Sequence, residues 1–392
     1  MAEQKKHAMM NKLSLAICIV IVLGLGCRKA AIIEQDLSNF QQVNLVANKA
    51  MYDPATVDPT LQNGWGLAWA PSGIAWVNAE ADGLSELYTA AGAIVRKPVN
   101  IPSPTDTVGG APIGIVFNST KGFVLPNKAT AAFIFDGGDG VISAWNGAAG
   151  NNAFRIADNA ATSAYTGLTL AASGGANYLF AANFRTGKIQ VWDTAWNPVT
   201  WMPFHDPAIP SGFAPFNIQS VGAWLVVNYA KVGANGHQEV GAGLGFTDIF
   251  TTDGSFVRRL ASRGVLNSPW GVTMAPAAFL QQADMKSSIG GESSTGGESG
   301  TGGESGSTSG KLDPTQPVIL VGNFGDGRIN VFTLDGVFLG QLQSHNQPIV
   351  IDGLWALGFA PATATTISQN WLFFTAGPAK ETDGIFGYLV KQ

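Results

Sequence analysis

A short hydrophobic pattern recurs along the chain and predicts its architecture. Six times a bulky residue is followed by a small residue and then an aliphatic one, and the first residues of these frames are 48, 53, 50, 54 and 85 positions apart. The frames are Trp65-Gly66-Leu67, Ile113-Gly114-Ile115, Thr166-Gly167-Leu168, Phe216-Asn217-Ile218, Trp270-Gly271-Val272 and Trp355-Ala356-Leu357. After a frame, apolar and polar positions alternate, as at Ile189 and Val191, which is the period of a strand with one buried face. Repeats of this length in a β-rich chain are typical of a β-propeller, with one blade for each unit.

The one long spacing has a visible cause in the sequence. Residues 290–310 are a low-complexity run in which Gly-Gly-Glu-Ser appears three times. Such a run buries no apolar surface and is expected to be a disordered insertion, at about 284–313 in blade five. Without about thirty inserted residues the spacing is near 55, so the pattern predicts an all-β fold, a six-bladed β-propeller over residues 41–392.

The two ends of this region are predicted to meet in one sheet. Blade six has only three strands of its own, the last of them at 385–390, and an open ring would leave edge strands with unpaired backbone groups. The apolar segment 43–47 lies before blade one and is the natural fourth strand. We therefore expect an N-terminal strand to complete the last blade and close the ring.

The first 26 residues are typical of an export signal. Lys5, Lys6 and Lys12 form a basic start, and an uncharged apolar run of residues 13–26 ends at Cys27. Gly26 followed by Cys27 resembles the lipobox of bacterial lipoproteins, which implies cleavage before Cys27, lipidation of that residue and a linker over residues 27–40. The alternative is an uncleaved N-terminal anchor. Both predict a chain that lies outside the cytoplasmic membrane, on its periplasmic side or at the cell surface.

Composition and charge narrow the class of partner. Only 12% of the residues are charged, whereas the chain has 49 Gly and 11 Trp, which suits many short strands with Gly-rich turns. The net charge is -5, and Lys and Arg are scattered, so the basic surface expected of a nucleic-acid-binding protein is missing. We expect no nucleic-acid partner and a monomeric domain.

Several motifs together resemble a family of exported proteins. Trp65-Gly66-Leu67-Ala68 with Trp76-Val77, then Gly114-Ile115-Val116-Phe117-Asn118, then Phe133-Ile134-Phe135 with Trp145-Asn146, look like an uncharacterised family of exported bacterial six-bladed propellers. Some members carry a PEP-CTERM sorting tail, whereas this sequence stops at Gln392 without one. The resemblance covers about residues 40–392 and implies the fold and export, but no activity.

Polar residues at the starts of the inner strands raise the question of a metal. Propeller hydrolases of the lactonase type hold a divalent ion at the ring axis, and the corresponding positions here are Asn63, Asn217, Asn267 and Asp352. One carboxylate and three amides offer the oxygen ligands that calcium prefers. Alternatively, these residues bond neighbouring backbone groups, as Asn and Asp do in turns. We therefore expect no cofactor, with calcium as the alternative.

Aromatic residues lead the frames of four blades. Trp65, Phe216, Trp270 and Trp355 either surround the channel mouth and offer a surface for a ligand, or pack between the blades. The leading functional prediction is a lipid-anchored binding domain for a protein or glycan, without enzymatic activity. The alternatives are a calcium-dependent, lactonase-like hydrolase and a structural protein of the cell envelope.

Overall fold

A computed structural model describes residues 36–281 and 316–392. The predicted signal segment, Cys27 and the predicted insertion at about 284–313 lie outside the described residues. Within residues 36–281 and 316–392, no helix has the length and apolar character needed to cross a membrane.

The described residues form six sheets of four or five mainly antiparallel strands and one small two-stranded sheet, and the six larger sheets confirm the predicted six-bladed β-propeller. The N-terminal strands and the first three blades are β1 (Phe40–Ala47), β2 (Thr56–Val57), β3 (Gly64–Trp69), β4 (Ala75–Ala79), β5 (Leu84–Tyr88), β6 (Val99–Asn100), β7 (Pro112–Phe117), β8 (Phe133–Gly137), β9 (Val141–Trp145), β10 (Phe154–Asp158), β11 (Tyr165–Ser173), β12 (Ala176–Asn183), β13 (Lys188–Asp193) and β14 (Pro198–Val199). Blade one is β3 to β6, blade two is β7 to β10 and blade three is β11 to β14.

The second half of the chain continues this order. Its strands are β15 (Phe213–Val221), β16 (Trp224–Val232), β17 (Gln238–Glu239), β18 (Gly245–Phe250), β19 (Phe256–Ser262), β20 (Pro269–Ala275), β21 (Val318–Asn323), β22 (Ile329–Thr333), β23 (Phe338–Gln341), β24 (Gln343–Ser344), β25 (Gln347–Pro348), β26 (Leu354–Gly358), β27 (Leu372–Ala376) and β28 (Ile385–Lys391). Blade four is β15, β16, β18 and β19, with β17 added to β16, and blade five is β20 to β23. Short 3-10 helices lie at Ala50–Tyr52, Gly147–Ala149 and Ala277–Leu280, and a helical turn lies at Pro378–Glu381.

The ring is closed as the sequence predicts. In blade six the strand order is β26, β27, β28, β1 and β2, and β1 pairs antiparallel with β28, so that Phe40 lies opposite Lys391 and Ala47 opposite Ile385. The innermost strands β3, β7, β11, β15, β20 and β26 each contact the next one, and β26 contacts β3. All blades therefore have both faces covered, and packing between blades forms the core.

Each predicted frame lies on an innermost strand and coincides with a β-bulge. The pairing of the first and second strands shifts register across the frame in all six blades. In four blades the small residue of the frame is Gly, and a Cβ on Gly66, Gly114, Gly167 or Gly271 would collide with the inner strand of the next blade. Small residues recur there because the inner strands approach one another closely around the axis.

Buried polar side chains on the second strands bond these bulges. Asn78 Nδ2 donates to Ile113 O of the next blade at 3.1 Å, and Asn228 Nδ2 donates to Trp270 O of the next blade at 2.9 Å. Asp136 accepts hydrogen bonds from the backbone of its own blade and of the next one, at Gly114 (2.6 Å) and Gly167 (3.2 Å). Thr375 plays the same part between blades six and one, where its hydroxyl donates to the carbonyl of Trp65. We call Asn78, Asp136, Asn228 and Thr375 the inter-blade belt.

Candidate functional site: an axial cavity

A cavity of about 1110 Å³ opens on one face of the ring at its axis. Its walls come from the starts of the inner strands and from the turns between the second and third strands, which the strand order places on the same face. Every blade contributes at least one side chain from that turn. Among these side chains are Glu80, Asp139, Arg185, His237, Phe324 and Glu381, one for each of blades one to six in order.

The floor of the cavity is an aromatic cluster that includes all four predicted axial residues. Trp355 is stacked between Trp65, with ring centroids 3.6 Å apart, and Phe324, at 4.0 Å. Phe216 and Trp270 meet Trp355 edge-on, each at 6.0 Å. Trp65, Phe216 and Phe324 line the cavity, whereas Trp270 and Trp355 are buried beneath them. Ligand binding by the four predicted residues stays a prediction, but the ring of blades brings them together.

One amide holds two carboxylates side by side at the edge of this floor. Trp355 Nε1 donates to Asn63 Oδ1 at 3.0 Å, and because an indole nitrogen is only a donor, this bond fixes which end of the amide faces the floor. The amide nitrogen of Asn63 therefore faces the cavity wall, where it donates to Glu80 Oε2 at 3.0 Å and to Glu381 Oε2 at 3.5 Å. Asn63 was predicted to bind calcium, and here it positions the two glutamates.

The backbone that carries Glu381 has an unusual conformation. Within the turn Pro378–Glu381, the φ angles of Ala379, Lys380 and Glu381 are 56°, 60° and 68°, all in the left-handed region. This conformation costs a non-glycine residue about 1–2 kcal/mol, so three in succession need support from their surroundings. Asp352, another predicted calcium ligand, supplies part of it, since its Oδ2 accepts a hydrogen bond from Ala379 N at 2.9 Å.

The acidic side chains of the cavity are all more easily protonated than usual. Burial is the main reason why the pKa of Glu80 lies above its ordinary value, with a further rise from the charge of Asp139, although Asn63 and His237 oppose the shift. Burial also raises the pKa of Glu381, and the neighbouring charge of Glu80 raises it further. The pKa of Asp139 is raised by burial as well. Each carboxylate would thus gain from a positive group placed in the cavity.

The four residues predicted to bind calcium make separate contacts. Their partners are Trp355 Nε1 and the two glutamates for Asn63, Trp270 O for Asn217, Gly241 N for Asn267 and Ala379 N for Asp352. In residues 36–281 and 316–392, no group of three or more His, Cys, Asp or Glu side chains is placed to hold a metal ion. Calcium binding by the predicted set stays a prediction.

Glu80, Asp139 and Glu381 were not among the predicted site residues. They lie in the turns after the second strands, whereas the residues predicted to bind calcium lie near the starts of the inner strands. The repeat itself carried the signal, because Glu80 and Asp139 fall in the same turn of adjacent units. Of the histidines in the described part of the chain, His237 lines the cavity, and His205 and His345 are exposed elsewhere.

Comparisons with known proteins identify relatives of no described activity. No family model matches the chain. Two uncharacterised proteins of Acanthamoeba polyphaga mimivirus are similar to it, one 29% identical over 90% of this chain and 80% of its own length, the other 35% identical over 59% of this chain and 52% of its own length. The chain thus spans about half of the second relative. These relatives are viral, so the comparisons do not support the bacterial family that the sequence motifs predicted.

Solved structures with a similar course of the chain include two enzymes. Virginiamycin B lyase from Staphylococcus aureus is 10% identical with a TM-score of 0.46, over 90% of this chain and 98% of that one. A gluconolactonase from Xanthomonas campestris is 14% identical with a TM-score of 0.44, over 85% of this chain and 88% of that one. The six-bladed ring itself is given by the hydrogen-bonded sheets of this chain.

Proposed function

We propose that the protein binds a small organic cation in its axial cavity, through an ammonium or guanidinium group. The observation that carries the proposal is the placement of Glu381, Glu80 and Asp139, from the adjacent blades six, one and two, on one wall of a single cavity. Two of them share the amide of Asn63 as a hydrogen-bond donor. Partly buried carboxylates of like charge are unfavourable unless a positive partner compensates them.

An organic cation fits the surroundings of these carboxylates better than a bare metal ion. Calcium takes six to eight oxygen ligands at about 2.3–2.6 Å, which requires a compact group of acids, whereas an ammonium group needs three acceptors on one side only. The rest of the cavity offers apolar contact from Trp65, Phe216 and Phe324. Aromatic side chains also attract cations through their ring faces, within about 6 Å of the ring centre.

Titration calorimetry with phenethylamine tests the proposal, and 2-phenylethanol serves as a neutral control of similar shape. We expect phenethylamine to bind at least ten times more tightly than the alcohol. Glu80→Gln and Glu381→Gln should each weaken amine binding about tenfold, whereas Glu239→Gln, an exposed acid on the blade-four turn outside the cavity, should not. Equal binding of amine and alcohol, or equal effects of the three variants, would refute a carboxylate-based cation site.

The pH dependence of amine binding has a defined sign. Because the pKa values of Glu80, Glu381 and Asp139 are all raised, the three acids become neutral at a higher pH than exposed acids do. Affinity for the amine should therefore fall as the pH is lowered, starting above the ordinary glutamate pKa of 4.5. His237 lines the same cavity, so the titration is repeated with His237→Gln to isolate the contribution of the three acids.

Export and lipidation remain proposals that rest on the sequence. We propose that Cys27 carries the lipid and that the propeller is anchored to the cell envelope, where its cavity face is presented to a ligand, protein or glycan. Mass spectrometry of the N-terminal peptide from membranes should show a diacylglyceryl cysteine, which Cys27→Ser should lose together with membrane attachment. A full-length, unmodified N-terminus in the membrane fraction would instead identify an uncleaved anchor.

The calcium-dependent hydrolase is tested by thermal unfolding in chelator and in excess calcium. A rise in Tm with calcium that disappears in Asp352→Asn would support that alternative. Because Asp352 also bonds Ala379, the variant must be compared with the unmodified protein in chelator, where only the structural contribution differs. If neither calcium nor an amine binds, a structural role in the envelope is the better explanation.

A further inference from the structure

The wall opposite the carboxylates carries positive side chains. In a closed ring of six blades, blade three lies opposite blade six, and blade four lies opposite blade one. Arg185 of blade three thus faces Glu381 across the axis, and His237 of blade four faces Glu80. The electrostatic influence of His237 on Glu80 is consistent with this placement, since it lowers the pKa of that acid.

The geometry of Arg185 leaves it able to bind an anion. Its Nη1 donates to Ala160 O at 2.9 Å, which anchors the side chain at the rim. A guanidinium group has five N–H donors in a planar fork that matches a carboxylate. Arg185 can therefore keep its backbone contact and still donate to a carboxylate in the cavity.

The floor between the two walls is apolar. Trp65, Phe216 and Phe324 line it with their rings, and Nε1 of Trp65 is itself buried rather than open to the cavity. A ligand that reaches from one wall to the other is thus expected to have an uncharged middle segment between two charged ends.

We infer that the ligand is a short peptide with two free ends. Its ammonium group would lie at Glu80 and Glu381, its carboxylate at Arg185 and His237, and its uncharged middle would lie over the aromatic floor. This inference rests on the proposed cation site and names the class of ligand for it. A cavity of about 1110 Å³ is of the size that holds a ligand of a few residues.

Alanine peptides of two, three and four residues with free ends test the inference by calorimetry. The best binder is then compared with its N-acetylated form and its C-amidated form. We expect the free peptide to bind at least tenfold more tightly than either. If the amide binds as well as the free peptide, or if none of the peptides binds although phenethylamine does, recognition of the carboxylate is refuted and the cation site stands. If the acetylated peptide binds as well as the free one, the cation site itself is refuted.

Two substitutions locate the recognition within the cavity. Arg185→Gln should abolish the difference in affinity between the free and the amidated peptide, whereas Lys188→Gln, a matched loss of charge on the same blade outside the cavity, should preserve it. Preservation of the free-end preference in Arg185→Gln, or its loss in Lys188→Gln, would overturn the inference.

Discussion

The inner strands of the ring and the turns above them differ in how closely their residues follow the sequence repeat. In the inner layer, where the bulged frames and the inter-blade belt lie, the same types of residue recur from blade to blade, and the belt bonds four of the six pairs of adjacent blades. In the turns above it, corresponding turns contribute two glutamates, an aspartate, an arginine, a histidine and a phenylalanine to the cavity. The repeated layer builds the ring, and the layer where the repeat breaks down carries the chemistry. Substitutions in the two layers should therefore affect different properties.

The largest effect is expected in the inner layer at Gly66. A Cβ at this position would collide with the carbonyl oxygen of Ile113, which cannot move unless the inner strands of blades one and two separate. Gly66→Ala should lower the free energy of unfolding by about 3 kcal/mol, measured by urea denaturation. Gly147→Ala is the control, since a Cβ at Gly147 meets nothing within 4 Å. Similar stability of the two variants would show that the inner strands do not require this close approach.

A pH-dependent effect is expected at Asp136 in the belt. Burial raises the pKa of Asp136 to about 7, so the folded state binds the proton more tightly than the unfolded state does. Its favourable contribution is therefore complete below the ordinary pKa of 3.8 and is lost as the pH rises through about 7. The difference in unfolding free energy between the unmodified protein and Asp136→Asn should fall over this range by about 2–4 kcal/mol. A difference that is constant or rises with pH would contradict the shift.

At the cavity wall, replacing an acid by its amide should leave the stability of the protein almost unchanged. Glu381→Gln removes a partly buried charge beside Glu80 and keeps the shape of the side chain, so the free energy of unfolding at pH 7 should stay unchanged or rise by up to about 1 kcal/mol. Measuring the free energy of unfolding of Glu381→Gln and of Asp136→Asn by chemical denaturation compares the turns with the inner strands directly. A loss of more than about 1 kcal/mol would place Glu381 with the structural layer.

The smallest effect is expected at Lys380, whose side chain is exposed and whose φ is 60°. Lys380→Gly should stabilise the protein by about 0.5–1 kcal/mol, because glycine adopts the left-handed conformation without strain. Lys380→Ala removes the same charge and keeps the strain, so it should give no gain. Equal stabilities of the two variants in thermal denaturation would show that the turn is not strained.

The arrangement of the inner strands could be predicted from the sequence, whereas much of the cavity wall, which the turns form, could not. The frames revealed six blades because the close approach of the inner strands demands Gly in four of them, and the flanking residues of the frame recur in the other two. The unpaired third strand of blade six likewise required a strand from residues 43–47, and β1 confirms it. Both signals are local patterns whose physical cause acts on every unit.

The pairing of Glu80 with Glu381 leaves no comparable local pattern in the sequence. Asn63 and Glu381 are 318 positions apart, and they meet only because the ring closes. The left-handed turn that brings Glu381 to the wall contains no glycine among its three residues of positive φ, so turn chemistry did not reveal it. Asn63 and Asp352 were selected for their oxygen atoms, but one of them orients the glutamates and the other supports the turn. Export signal, lipidation and insertion lie outside the described residues and stay predictions.

The pairing of β1 with β28 sets the order in which the ring can be completed during synthesis. Within the propeller, residues 40–47 are made first, but their partner strand, 385–391, is made only after all the other blades. Leu45 and Val46 also pack against blade one, but until the last strand is made this first strand has no antiparallel neighbour. Contacts of such long separation in sequence form slowly. The first strand of the propeller is therefore the last to gain its antiparallel neighbour, and its backbone edge stays open to pairing with other chains until the propeller has been made in full.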